Sequence, residues 1–174
     1  MPIDPAKIAR ALGYPYERPV GSYLFSGGVD EPLPPNIDFK DRIPVLASGS
    51  NGAPAQLKRK FGEGSETAIP VTAAKLHDIC CSYSAHYAGY GAIAATLCHA
   101  PGAVSDVHIT WLNEAELKRM HETEAIGVNY DYARLDNLRL LCERRGEIAT
   151  AFAYISRRGC LLIDGKPVLL KALS

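Results

Sequence analysis

The chain lacks most of the features that announce a function. It has no excess of either charge: 19 Lys and Arg stand against 19 Asp and Glu in 174 residues. That excludes the basic footprint of a nucleic-acid binder and the polybasic run of a membrane-surface protein, so neither partner is expected. No apolar run approaches the length needed to span a bilayer. The opening Met1-Pro2-Ile3-Asp4-Pro5 has no positive n-region and no apolar h-region, so no secretory signal is expected. The cysteines number five, an odd count without CxxC spacing. They read as reduced thiols in a cytoplasmic chain rather than as a disulfide framework. There is no internal repeat and no low-complexity tract. The length fits one domain with room for a core.

What is present divides at about residue 42. Residues 1–42 are rich in Pro, Gly and polar residues, and Pro32-Leu33-Pro34-Pro35 interrupts regular structure. They read as an extended arm with a short helix at Pro5 to Leu12, packed on the domain through Tyr14, Tyr16, Tyr23 and Phe25. Residues 43–174 read as a single domain. Its first strand is Ile43 to Ala47, left by the turn Gly49-Ser50-Asn51-Gly52. Pro54 then opens a short helix whose apolar side is Leu57 and Phe61. Separate strands are expected at Ala68 to Leu76, His77 to Tyr83, Ala92 to Cys98 and Val107 to Leu112, punctuated by Gly89-Tyr90-Gly91 and Pro101-Gly102. Asn113 and Glu116 form a capping-box pattern for a helix running to about Glu124, with Leu117 and Met120 inward and Gly127 ending it. A long strand, Val128 to Leu141, pairs with Glu147 to Ser156 through a turn at Arg145-Gly146. A last pair, Cys160 to Ile163 and Pro167 to Leu170, turns at Asp164-Gly165. The fold class is α+β: a small mixed β-barrel or curled sheet with two or three short helices.

Five pieces of the chain, in order, resemble the gamma-glutamylcyclotransferase-like superfamily. Val45-Leu46-Ala47-Ser48-Gly49-Ser50-Asn51 is similar to its strand and Tyr-Gly-Ser-Asn loop. Val71 to Tyr83 is similar to the strand pair before its variable loop. Gly91 to Leu97, Pro101-Gly102 and Val107-His108-Ile109-Thr110-Trp111 resemble the strands that follow. Glu116 to Glu124, then Gly127-Val128-Asn129-Tyr130, resembles its helix ending in a catalytic glutamate. Ala151-Phe152-Ala153-Tyr154-Ile155 resembles a late strand carrying a tyrosine. The chain departs from the pattern at Ser48, where an aromatic residue is usual, and at Ala125-Ile126, which displaces the glycine that usually follows the glutamate.

The resemblance implies a mixed barrel with its site at one mouth, and release of 5-oxoproline from gamma-glutamyl compounds. The α-amine of the glutamyl group attacks its own γ-carbonyl, a ring closes and the partner amine leaves. Glu124 is the expected general acid and base. Ser48, Gly49, Ser50, Asn51 and Tyr154 are the expected substrate contacts, with backbone N–H groups of the turn holding a carboxylate or an oxyanion. No cofactor or metal is implied, and a homodimer is compatible. Glu122 is the neighbouring candidate. Successive helical residues are rotated by about 100°, so Glu122 and Glu124 point apart. A non-catalytic binding module of the same fold is the alternative. Two further readings are a cysteine hydrolase built on Cys80 or Cys81 with His86 or His121, and a metal site drawn from His86, Cys98, His99 and His108, whose spacing fits no zinc pattern.

Overall fold

A computed structural model of the protein describes residues 4–63 and 66–170. In chain order the elements are helix α1 (Pro5–Leu12), strands β1 (Tyr23–Ser26), β2 (Val29–Pro32) and β3 (Ile43–Ala47), a 3-10 turn (Ser50–Gly52) and helix α2 (Pro54–Phe61). Strands β4 (Ala68–Tyr87) and β5 (Ile93–Leu112) and helix α3 (Glu114–Glu122) follow. The rest is strands β6 (Tyr130–Leu135), β7 (Leu140–Cys142), β8 (Gly146–Ile148), β9 (Ala151–Ser156), β10 (Leu162–Ile163) and β11 (Lys166–Pro167). Nine strands make one mixed sheet ordered β2-β1-β4-β5-β3-β9-β6, with β7 on β4 and β8 on β7; β10 and β11 form a small hairpin. The mixed α+β class expected from the sequence is present, with a large sheet and three short helices. A closed barrel is not: among the described residues the strand order is an open path.

The four strands expected between residues 68 and 112 are two, each of 20 residues. Gly89-Tyr90-Gly91 forms the turn between the two strands, whereas Pro101-Gly102 sits in a bulge instead of ending one. His77 pairs with Val104 and Ile79 with His99, so Ala100 to Ala103 stand opposite Asp78 alone. Asp78 and Gly102 have φ of 61° and 80°, and Gly102 N–H donates to Asp78 Oδ1 at 2.7 Å. Pro101 has no N–H to give, and a bulge asks none of it.

Further on, the long strand expected from Val128 to Leu141 divides. Asp136 collects Arg134 Nε and Thr150 Oγ1 at 3.0 and 2.8 Å, and Asn137 takes φ 56°. The chain turns there, and the β7–β8 hairpin leaves β9 to pair with β4. Its partner segment, expected as Glu147 to Ser156, divides into β8 and β9 for the same reason. The last pair is shorter than expected, confined to β10 and β11 around the left-handed Asp164 and Gly165.

Alternation along β3 sends neighbours to two cores. Leu46 joins Leu76, Ile109, Trp111 and Leu140. Val45 joins Tyr23, Phe25, Leu57, Val71, Leu112, Met120 and Tyr154. The second core seats α2 and α3, through Leu57 and Met120, on one side of the sheet. The hairpin β1–β2 belongs to the same sheet through β4, with Tyr23 and Phe25 buried.

The capping box is formed as expected: Asn113 Oδ1 accepts from Glu116 N, and Glu116 Oε2 accepts from Asn113 N, each at 2.9 Å. Arg42 clamps this end, donating to Glu116 Oε2, Trp111 O and Ala68 O, each at 2.9 Å. The other end of α3 stops at Glu122, short of Glu124. Thr123 Oγ1 donates to Met120 O at 2.7 Å, and Ala125, at φ 47°, reverses the chain.

Candidate functional site

Leaving β3, the chain must pass close beneath Tyr14 and Ala95. A Cβ at Gly49 would lie 2.4 Å from Tyr14 Oη and 2.8 Å from Ala95 Cβ, so only glycine fits. The 3-10 turn follows at once. Its first N–H groups have no acceptor within the turn, and among the described residues no backbone carbonyl outside it takes the N–H of Ser50 or Asn51. Ser48 and Ser50 are buried and Asn51 is half-buried.

Glu124 arrives from the opposite side, just past α3. Asn51 Nδ2 donates to its Oε1 at 2.8 Å. Lys60, from the last turn of α2, donates to the same oxygen and to Thr123 Oγ1 at 2.9 Å. The Lys60 and Glu124 side chains are 6% and 12% exposed. Tyr154, on β9, has its hydroxyl 2.9 Å from His121 Nδ1. Ser48, Gly49, Ser50, Asn51, Glu124 and Tyr154 line one cavity of about 240 Å³. Glu122 points elsewhere, paired with Arg119 at 2.9 Å on the surface.

Tyr14 from the turn after α1, Tyr130 from β6 and Tyr154 from β9 line the wall. Tyr14 Oη accepts from Ala95 N at 2.7 Å, and Tyr130 Oη donates to Ala95 O at 3.0 Å, so both are anchored on one residue of β5. Burial pushes the Tyr14, Tyr130 and Tyr154 hydroxyls up from their ordinary range, and the Glu124 charge pushes the same way. They remain protonated: Tyr14, which accepts from Ala95 N, keeps its O–H to give, whereas Tyr130 gives its own to Ala95 O. Burial pulls His121 down, against the opposing pull of Glu124.

Sequence reasoning missed Lys60, Tyr14 and Tyr130. For Lys60 a signal existed. It stands three residues after Leu57, and that spacing shares a helix face. Inside Lys58-Arg59-Lys60, however, it looks like one of three solvated charges. Nothing local marks Tyr14, which reaches the cavity from the arm.

The rival constellations fare differently. Cys80 and Cys81 are buried. Burial raises both thiols, Cys81 to about 12, which leaves little thiolate. His86 Nδ1 meets Ser84 Oγ at 2.6 Å rather than a cysteine. Among the described residues, no three His, Cys, Asp or Glu side chains gather as a metal site. A wider groove of about 910 Å³ holds Arg18, Asp30, Cys80, Cys81 and Asp106, but the thiols in it are the inert ones.

No protein-family model matches the chain, and no curated protein matches it. Among solved structures it is similar to the solution structure of At3g28950.1 from Arabidopsis thaliana, at 17% identity and a TM-score of 0.45. That match covers 66% of this chain and 62% of the other, less than two thirds of its length.

Proposed function

We propose that the protein is a gamma-glutamylcyclotransferase-like enzyme that releases 5-oxoproline from a gamma-glutamyl compound. One observation carries this reading: the Asn51–Glu124 hydrogen bond joins the free-donor turn to a carboxylate inside one small cavity. The resemblance of residues 43–155 to that superfamily supports it.

The glutamyl α-carboxylate takes the N–H groups at Ser50 and Asn51. The chain folds back so that its α-amine faces the γ-carbonyl, which captures the proximity term. Glu124 accepts the proton that the attacking nitrogen loses. As the bond to the departing nitrogen breaks, Glu124 returns that proton to it. For this to happen, the α-ammonium must take the place of Lys60 on Glu124 Oε1 and release one proton to water through that carboxylate, because only the free amine can attack. Lys60 then faces the α-carboxylate, so the ion pair is exchanged rather than broken. Tyr154, tied to His121, borders the same space. Five unpaired thiols fit a reducing, cytoplasmic setting, and among the described residues no helix is long and apolar enough to cross a membrane.

The test is incubation of the purified protein with gamma-glutamyl amino acids and amines, followed by mass-spectrometric detection of 5-oxoproline. Release is expected, and Glu124→Gln should lower kcat by at least about a hundredfold, the lower range for a proton-transfer group. A variant that cyclises at the parental rate removes Glu124 from the mechanism.

A second reading is a binding module that keeps the cavity and has lost turnover. The Lys60 ion pair favours it, because it occupies the base. Binding of 5-oxoproline without any turnover would select this reading.

A further inference from the structure

One side of the cavity is lined by a part of the chain outside the resemblance, through Arg10 and Tyr14. The last turn of α1 lays Arg10 there, with the guanidinium carbon 3.9 Å from the ring centroid of Tyr90 in the β4–β5 turn. Both residues line the cavity. Tyr14 fastens this segment to the wall through Ala95. Arg59 of α2 adds a second guanidinium nearby, 4.3 Å from the Tyr16 ring and bonded to Gln56 of the lining at 3.1 Å. Among the described residues, no carboxylate pairs with Arg10. The lining carboxylate is Glu124, and Lys60 neutralises it. Of the charges lining the cavity, Arg10 therefore stands without compensation.

A gamma-glutamyl compound has two ends. The glutamyl end belongs with Asn51 and Glu124, deep in the cavity, so the departing amine must point towards Arg10. Stacking on Tyr90 leaves the edge of the guanidinium free for a planar anion. We propose that Arg10 selects the leaving group by charge, so that the site takes gamma-glutamyl compounds whose departing amine carries a carboxylate, such as an amino acid or a short peptide. Neutral alkylamines forgo that pairing, and polyamines meet repulsion. The proposal rests on the cyclotransferase reading for its chemistry, while the placement of Arg10 does not depend on it.

The test compares gamma-glutamyl-alanine with its neutral carboxamide, gamma-glutamyl-alaninamide, in the parent, Arg10→Gln and Arg10→Lys. One partly exposed charge-assisted pair corresponds to about a fivefold to tenfold preference for the acid, carried in KM. Arg10→Gln should equalise the two substrates, Arg10→Lys should keep part of the gap, and high salt should narrow it. A parent without preference, or a gap that survives Arg10→Gln, overturns the proposal. If neither compound yields 5-oxoproline, the cyclotransferase reading fails, and calorimetric titration with the same two compounds decides the role of Arg10. Tighter binding of the acid, lost in Arg10→Gln, upholds it; equal binding, or none, overturns it.

Discussion

At the scale of the residue, Lys60 and Glu124 are the pair on which the site turns. Two charges taken this far out of water hold each other in place, and removing one strands the other. Lys60→Met should therefore cost about 3 kcal/mol. The double variant Lys60→Met/Glu124→Gln should cost less than the sum of the single variants by about 2 kcal/mol. Urea denaturation of the four proteins checks this; additive costs would mean that the two side chains are not coupled. Gly49 gives a second residue-scale prediction. An alanine there must displace Tyr14 Oη or Ala95 Cβ. Overpacking of this kind costs about 2 kcal/mol, and the Tyr14–Ala95 bond should loosen with it. A Gly49→Ala protein as stable as the parent would show that the passage is wider than described.

At the scale of the element, α3 has to deliver Glu124 from its C-terminal end, and it is fixed at its N-terminal end. Asn113→Ala removes half of the capping box and should cost about 1 kcal/mol, read as a lower urea midpoint with an unchanged slope. Asn113→Asp should hold parental stability. The capping box was legible in the sequence because its two side chains lie three residues apart. The end of α3 was not, because Thr123 and Ala125 stop it through a side-chain bond and a left-handed residue that periodicity does not register. Likewise, β4 and β5 look like four strands from their glycine and proline. Only the pairing of Asp78 against Gly102 turns those breakers into a bulge.

At the scale of the whole molecule, His108 couples the fold to pH. It sits on β5 beneath Gly52, whose Cβ position would be 3.0 Å from its own Cβ, and its Nε2 lies 3.4 Å from Gly21 O. Burial, then the charge of Arg18, pulls its pKa down to about 4. A folded pKa below the unfolded value of about 6.5 means that the native state holds the neutral ring. That contribution is complete above pH of about 6.5 and is lost as pH falls through 4. It amounts to about 3 kcal/mol. His108→Gln should flatten the stability profile over this window. An unchanged profile would assign the acid sensitivity to other groups.

The sequence by itself determined the mixed α+β class, the capped helix, and the strand and turn that carry Ser48 to Asn51. Each of these is written within a few residues of chain, as periodicity or capping. Only the tertiary structure decided that the sheet stays open, that the β7–β8 hairpin crosses to β4, and that Lys60, Tyr14 and Arg10 share a cavity with Glu124. Those outcomes depend on which side chain from a distant segment fills a given space and answers a given charge, and no local pattern encodes a contact between residues 10 and 90 or between 60 and 124.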